Sequence, residues 1–173
     1  IPSDTASPFC ETAIEADIAK IAIDANGGRS ILFVYPPVDE EKYIAEAKET
    51  LENCSFIDLR RLFTQFIDDM GIDNFKESYK DFGNELFASN NFSEGTFLSL
   101  ILNEIMKSYS EGMIPVLLHT GTIYGMDFSN INIMEQDFVM NSKIPLVVFY
   151  PATVDNNNIL FLGKQVASRY RCV

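Results

Sequence analysis

The chain has 173 residues, 47% hydrophobic and 22% charged, enough to bury one core and too apolar for wholesale disorder. A net charge of −12 repels nucleic-acid phosphates, so direct nucleic-acid binding is disfavoured. No apolar run approaches the roughly 18 residues of a membrane-spanning helix, so no membrane association is expected.

Residues 1–9, polar and holding Pro2 and Pro8, read as a flexible arm, and residues 10–173 as a single domain. Ile14, Ile18 and Ile21 recur at helical spacing before Gly27–Gly28. ILFVYPP (31–37) is a short apolar run stopped by two prolines, the pattern of a strand buried on both faces. Asp39, Glu40 and Glu41 open a helix where carboxylates suit the positive end of its dipole, with Ile44, Ala47 and Leu51 facing inward. A short strand is expected at 55–57. Asp58 is placed to cap the next helix, whose Leu59, Leu62, Phe63, Phe66, Ile67 and Met70 form a wide apolar face ending at Gly71. Phe75, Tyr79, Phe82 and Leu86 mark another amphipathic helix. After the polar break Ser89–Asn90–Asn91, a further helix carries Phe97, Leu98, Ile101 and Ile105.

Strands are then expected at 113–118, 144–150 and 159–162, with Pro115 and Pro145 near strand starts, where a missing N–H is tolerated. The length between His119 and Lys143 allows a crossover helix around Ile133–Met140. Residues 151–158 are too few for one, so the last two strands should pair antiparallel. The expected fold is therefore α/β: a mostly parallel sheet of about five strands, helices on both faces, and an antiparallel edge strand.

In such sheets ligands sit beyond the carboxyl ends of the strands. Those ends offer Tyr35–Pro36–Pro37, Asp58, His119–Thr120–Gly121 and Tyr150–Pro151. The first strand-to-helix turn, PPVDEE, is wrong for phosphate: prolines lack N–H donors and three acids repel the anion. No cofactor is expected. His119 is the sole histidine, and no spacing gives it zinc partners or a nucleophile, so no metal or catalytic residue is assigned. A buried, backbone-bonded histidine is the favoured reading, against a general base; Asp58 reads as a helix cap. Cys10, Cys54 and Cys172 are dispersed, as expected of reduced thiols in the cytoplasm. Tyr35 and Tyr150 both end an apolar strand and precede proline. They either line one pocket or sit beside two strand stops. Residues 1–137 hold nine Lys/Arg against 24 Asp/Glu, whereas 138–173 hold four Lys/Arg against Asp155 alone. The basic end, with Arg169, Tyr170 and Arg171, suits an acidic partner or the acidic body of a second copy, which leaves a homo-oligomer open.

Four blocks carry a family resemblance: ILFVYPPVDEE (31–41), FIDLRRLFTQFIDDMG (56–71), VLLHTGTIYGM (116–126) and IPLVVFYPATVDNNNILFLGKQVASRYR (144–171). Together they resemble the BrxB family of bacteriophage-exclusion (BREX) defence systems. The closing block is the most specific; it departs from the family at Ala152, where glycine is usual, and in the tail SRYR. The resemblance implies a bacterial accessory protein of an anti-phage system, without catalysis of its own, that contacts a protein partner such as the PglZ-like component. The candidate contact surface, read from the strand ends and the basic tail, is the strand-end rim of Tyr35, His119, Thr120 and Tyr150 together with Arg169, Tyr170 and Arg171. The alternative is a degenerate nucleotide-binding or hydrolytic α/β enzyme with His119 and Asp58 as acid–base groups.

Overall fold

Strands buried on both faces of a parallel sheet set the architecture. A computed structural model describes residues 29–88, 95–155 and 158–166. Strand β1 (Ser30–Tyr35) runs through a three-residue 3-10 turn at Pro37–Asp39 into helix α1 (Glu40–Thr50) and strand β2 (Cys54–Asp58). Helices α2 (Leu59–Met70) and α3 (Ile72–Phe82), a 3-10 turn (Gly83–Leu86) and helix α4 (Phe97–Ser110) precede β3 (Ile114–Leu118). A 3-10 turn at Thr120–Ile123 and short helices α5 (Asn130–Met134) and α6 (Asp137–Met140) lead to β4 (Leu146–Asp155), β5 (Asn158–Phe161) and β6 (Gln165–Val166).

The parallel strands lie side by side as β2, β3, β4, β1. β1 is in register with the first part of β4, from Ser30 opposite Leu146 to Tyr35 opposite Pro151. Beyond Pro151, β4 continues and pairs antiparallel with β5, Ala152 opposite Phe161. The expected α/β sheet with an antiparallel edge is thus present, and the two-residue β6 extends that edge.

Side-chain alternation splits the core into two layers. Ile31, Phe33, Tyr35, Val116, Leu118, Val147 and Phe149 face α1 and its Ile44 and Ala47. Leu32, Ile57, Leu117, Val148 and Tyr150 face the other way, against α2, α4 and α5. In that second layer the rings of Phe63, Phe66 and Phe97 pack at centroid separations of 5.1–6.4 Å. Helix α4 is anchored there by a reciprocal cap: Thr96 Oγ1 accepts from the Ser99 N–H, and Ser99 Oγ accepts from the Thr96 N–H.

Three expectations need correction. β4 does not stop at Tyr150 but runs through Pro151 to Asp155, so the hairpin turn is far shorter than residues 151–158. The proline is tolerated because it sits where β1 ends as partner and β5 begins, and its carbonyl still accepts from the Leu162 N–H at 2.9 Å. The crossover helix at 133–140 is two short helices: Gln136 is extended (φ −62°, ψ 135°) and interrupts them, and its side-chain amide donates to the Asn132 carbonyl. The second strand spans 54–58 rather than 55–57, so Asp58 both ends β2 and caps α2. The arm at 1–9, the helix through Ile14–Ile21, the break at 89–91, and Cys10 and Cys172 lie outside the described residues. No helix among the described residues is long and apolar enough to cross a membrane.

Candidate functional site

The carboxyl ends of β1, β2 and β3 bring together side chains far apart in sequence. At the end of β1, Pro36 and Pro37 turn the chain through the 3-10 segment, where the Asp39 N–H donates to the Pro36 carbonyl. This sets the first turn of α1 above the strand ends. There the Tyr35 hydroxyl donates to Glu40 Oε1 at 2.7 Å. Burial, then the hydrogen bond to Glu40 and the negative charges of Glu40 and Glu41, push the Tyr35 phenol far above its ordinary range, so it acts as a donor.

Asp58 ends β2. Its Oδ1 accepts from the backbone N–H groups of Arg60 and Arg61 at 3.0 and 3.4 Å, as the sequence reading expected of a cap. The same oxygen lies 2.9 Å from His119 Nδ1. His119, just after β3, adopts a left-handed conformation (φ 54°, ψ 44°), uncommon for a residue with a β-carbon, and its ring lies against the end of β2 and the start of α1. Its Nε2 lies 3.4 Å from Glu41 Oε1, and that carboxylate also meets Arg60 Nη1 at 3.3 Å. Neither approach is a well-aligned hydrogen bond, so the ring is held by its buried packing between the two carboxylates.

Burial pushes the Asp58 carboxyl up, but the His119 ring beside it and the Arg61 and Arg60 backbone donors outweigh this and leave it below its ordinary value. His119 is 3% exposed and Asp58 18%, whereas Glu41 and Arg60 are 72% and 55% exposed. The arrangement is a buried imidazole between an inner carboxylate that also caps a helix and an outer one that is paired with arginine. Among the described residues, no group of three or more His, Cys, Asp or Glu side chains is arranged to hold a metal ion.

The proposed strand-end rim does not form one exposed surface. Tyr35, His119, Thr120 and Tyr150 are all buried. Thr120 donates its hydroxyl to the Phe149 carbonyl at 2.5 Å and so ties the loop after β3 to β4. Tyr35 and Tyr150 do not line one pocket. Val34, not Tyr35, is the register partner of Tyr150, so the period-two alternation sends the two tyrosines to opposite faces. Arg169, Tyr170 and Arg171 lie outside the described residues.

Glu41 and Arg60 were missed as site members because, locally, each is a charged residue in the first turn of a helix. Their meeting depends on strand order: the β1–α1–β2 crossover passes from β1 at one edge of the parallel strands to β2 at the other, carrying the start of α1 across the end of β3. Comparison with known proteins finds no matching family model, no matching curated protein and no matching solved structure.

Proposed function

We propose that the chain is a non-catalytic accessory or regulatory protein of a BREX-like anti-phage system, acting in the cytoplasm through contact with a larger protein, the PglZ-like component. One observation supports this most. The four separated blocks that carry the BrxB resemblance supply the residues that meet at one end of the sheet: Tyr35, Glu40 and Glu41 from the first, Asp58 and Arg60 from the second, His119 and Thr120 from the third, and Phe149 from the fourth. The interactions there brace elements against one another. Both ring nitrogens of His119 face carboxylates, a poor setting for a base that must meet a substrate.

The outward side of this cluster offers the contact surface: the exposed Glu41–Arg60 pair, with Val38, 91% exposed, on the turn just before α1. An exposed aliphatic side chain, together with an arginine already paired to a carboxylate, suits a protein partner better than a small anion. Co-purification of the tagged chain with the proteins encoded beside it tests the reading. A complex with the PglZ-like protein is expected, weakened by the pair Val38→Asp and Arg60→Glu. Recovery of the chain alone against every neighbour overturns it.

The 2.9 Å contact between Asp58 and His119 favours a second reading, a degenerate nucleotide-binding or hydrolytic enzyme in which the aspartate orients the imidazole. Thermal shift with magnesium nucleotides separates the two, since a ligand at about 100 times its dissociation constant adds about 2.7 kcal/mol. No shift with any nucleotide retires the enzyme.

A further inference from the structure

A second feature lies at the edge of the sheet. β2 pairs with β3 and with no other strand among the described residues, so alternate backbone N–H and C=O groups of Cys54–Asp58 point outward without a strand partner. The strand holds neither proline nor lysine, two of the usual protections of an edge. β1, at the other edge, is buried from Ser30 to Phe33, whereas Cys54, Ser55 and Phe56 are partly exposed.

A groove of about 580 Å³ runs along this edge, between β2 and α2. Consecutive strand residues, Ser55–Asp58, line it. Side chains alternate between the faces of a strand, so consecutive residues meet one groove only where it follows the edge. Its charge is one-sided: Asp58, Asp68, Asp69 and Glu104 stand against Arg61 among the described lining residues. A free strand edge calls for an extended backbone, and the carboxylates call for basic side chains. The chain itself carries such a segment. Residues 167–173, ASRYRCV, hold Arg169 and Arg171 and no acid, and their i, i+2 spacing puts both arginines on one face of an extended strand.

We propose that this groove takes the basic tail of a second copy of the chain as an added strand, each copy giving its tail to the other in a dimer. Arg169 and Arg171 face the carboxylates of Asp68, Asp69 and Glu104, and Tyr170 lies on the other face, where Phe56 packs. The tail cannot serve its own groove. Val166 is level with Thr153, and Phe56 with Val147, about 20 Å lower along the strands at about 3.3 Å per residue. β6 runs in the direction of β4, so the chain leaves Val166 pointing away from β2. Arg169 lies within at most about 11 Å of Val166, too short a reach to return. The inference goes beyond the partner reading and uses none of Val38, Glu41 and Arg60.

Sedimentation of the full chain over a range of concentrations tests the dimer, with a reductant present so that Cys172 cannot cross-link copies. Concentration-dependent dimerisation is expected, and deletion of residues 167–173 should leave a folded monomer. A synthetic peptide of residues 165–173 should then bind the shortened chain, read by calorimetric titration. The double substitution Asp68→Lys and Asp69→Lys, at exposed helix positions, should weaken both the peptide and the dimer by at least about tenfold. If the shortened chain fails to fold, this full-length variant carries the test. A full chain that stays monomeric up to about 1 mM, the weak end of specific association, overturns the proposal. So does a shortened chain that dimerises as tightly as the full one, a peptide that does not bind it, or unchanged dimerisation in the doubly substituted chain.

Discussion

At the scale of single residues, Asp58 serves two elements at once. Its Oδ1 closes the start of α2 and lies against the His119 ring at the end of β3. Asp58→Ala removes both and should destabilise the protein by about 1 kcal/mol from the cap alone, and further because His119 stays buried without its nearest carboxylate. Asp58→Asn keeps an acceptor for the cap but no charge, so comparing the two substitutions by urea denaturation separates the roles. The pH dependence has a definite sign. The folded carboxyl sits below its ordinary value of 3.8, so the charge contributes stability above that pH and the contribution is lost as pH falls through the folded value. Wild type should therefore exceed Asp58→Asn at pH 7, and the gap should close as pH drops below about 3.8. A gap that is constant from pH 7 to pH 3 would mean that the charge adds nothing. The cap was legible in the sequence because it depends on residues 58–61 alone; the histidine contact spans 61 positions, and no local pattern encodes it.

At the scale of elements, the junction between α2 and α3 depends on Gly71. Its backbone lies at φ 80°, ψ 135°, and its N–H donates to the carbonyls of Ile67 and Asp68. A β-carbon there would meet only Asn74 Nδ2 at 3.9 Å, so space does not demand glycine; the dihedral angles do. Gly71→Ala should cost about 1–3 kcal/mol, read as a lower urea midpoint at unchanged slope. A neutral outcome would mean that the junction relaxes to negative φ. The sequence marked this stop because glycine after a periodic apolar run is a local signal. The break inside the expected 133–140 helix carried no such signal. Residues 135 and 136 are Glu and Gln, both good helix formers, so nothing local marks the point where Gln136 turns extended.

At the scale of the whole molecule, charge opposes compactness. A net charge of −12 on 173 residues makes surface repulsion a global term, while exposed ion pairs such as Arg60–Glu41 return little. Raising sodium chloride from a few millimolar to 0.15 M, where the screening length is about 8 Å, should raise the melting temperature. A fall would show that ion pairs outweigh repulsion.

The sequence by itself determined the α/β class, four parallel strands with an antiparallel partner for the last, and the Asp58 cap. Each of these follows from periodicity, connection length or turn chemistry within a few residues. Tertiary structure alone decided that Tyr35 and Tyr150 face opposite ways and that Glu41 closes over His119. Those outcomes depend on strand register and crossover order. A shift of one residue or one strand position reverses which side chains meet, while the local pattern stays the same.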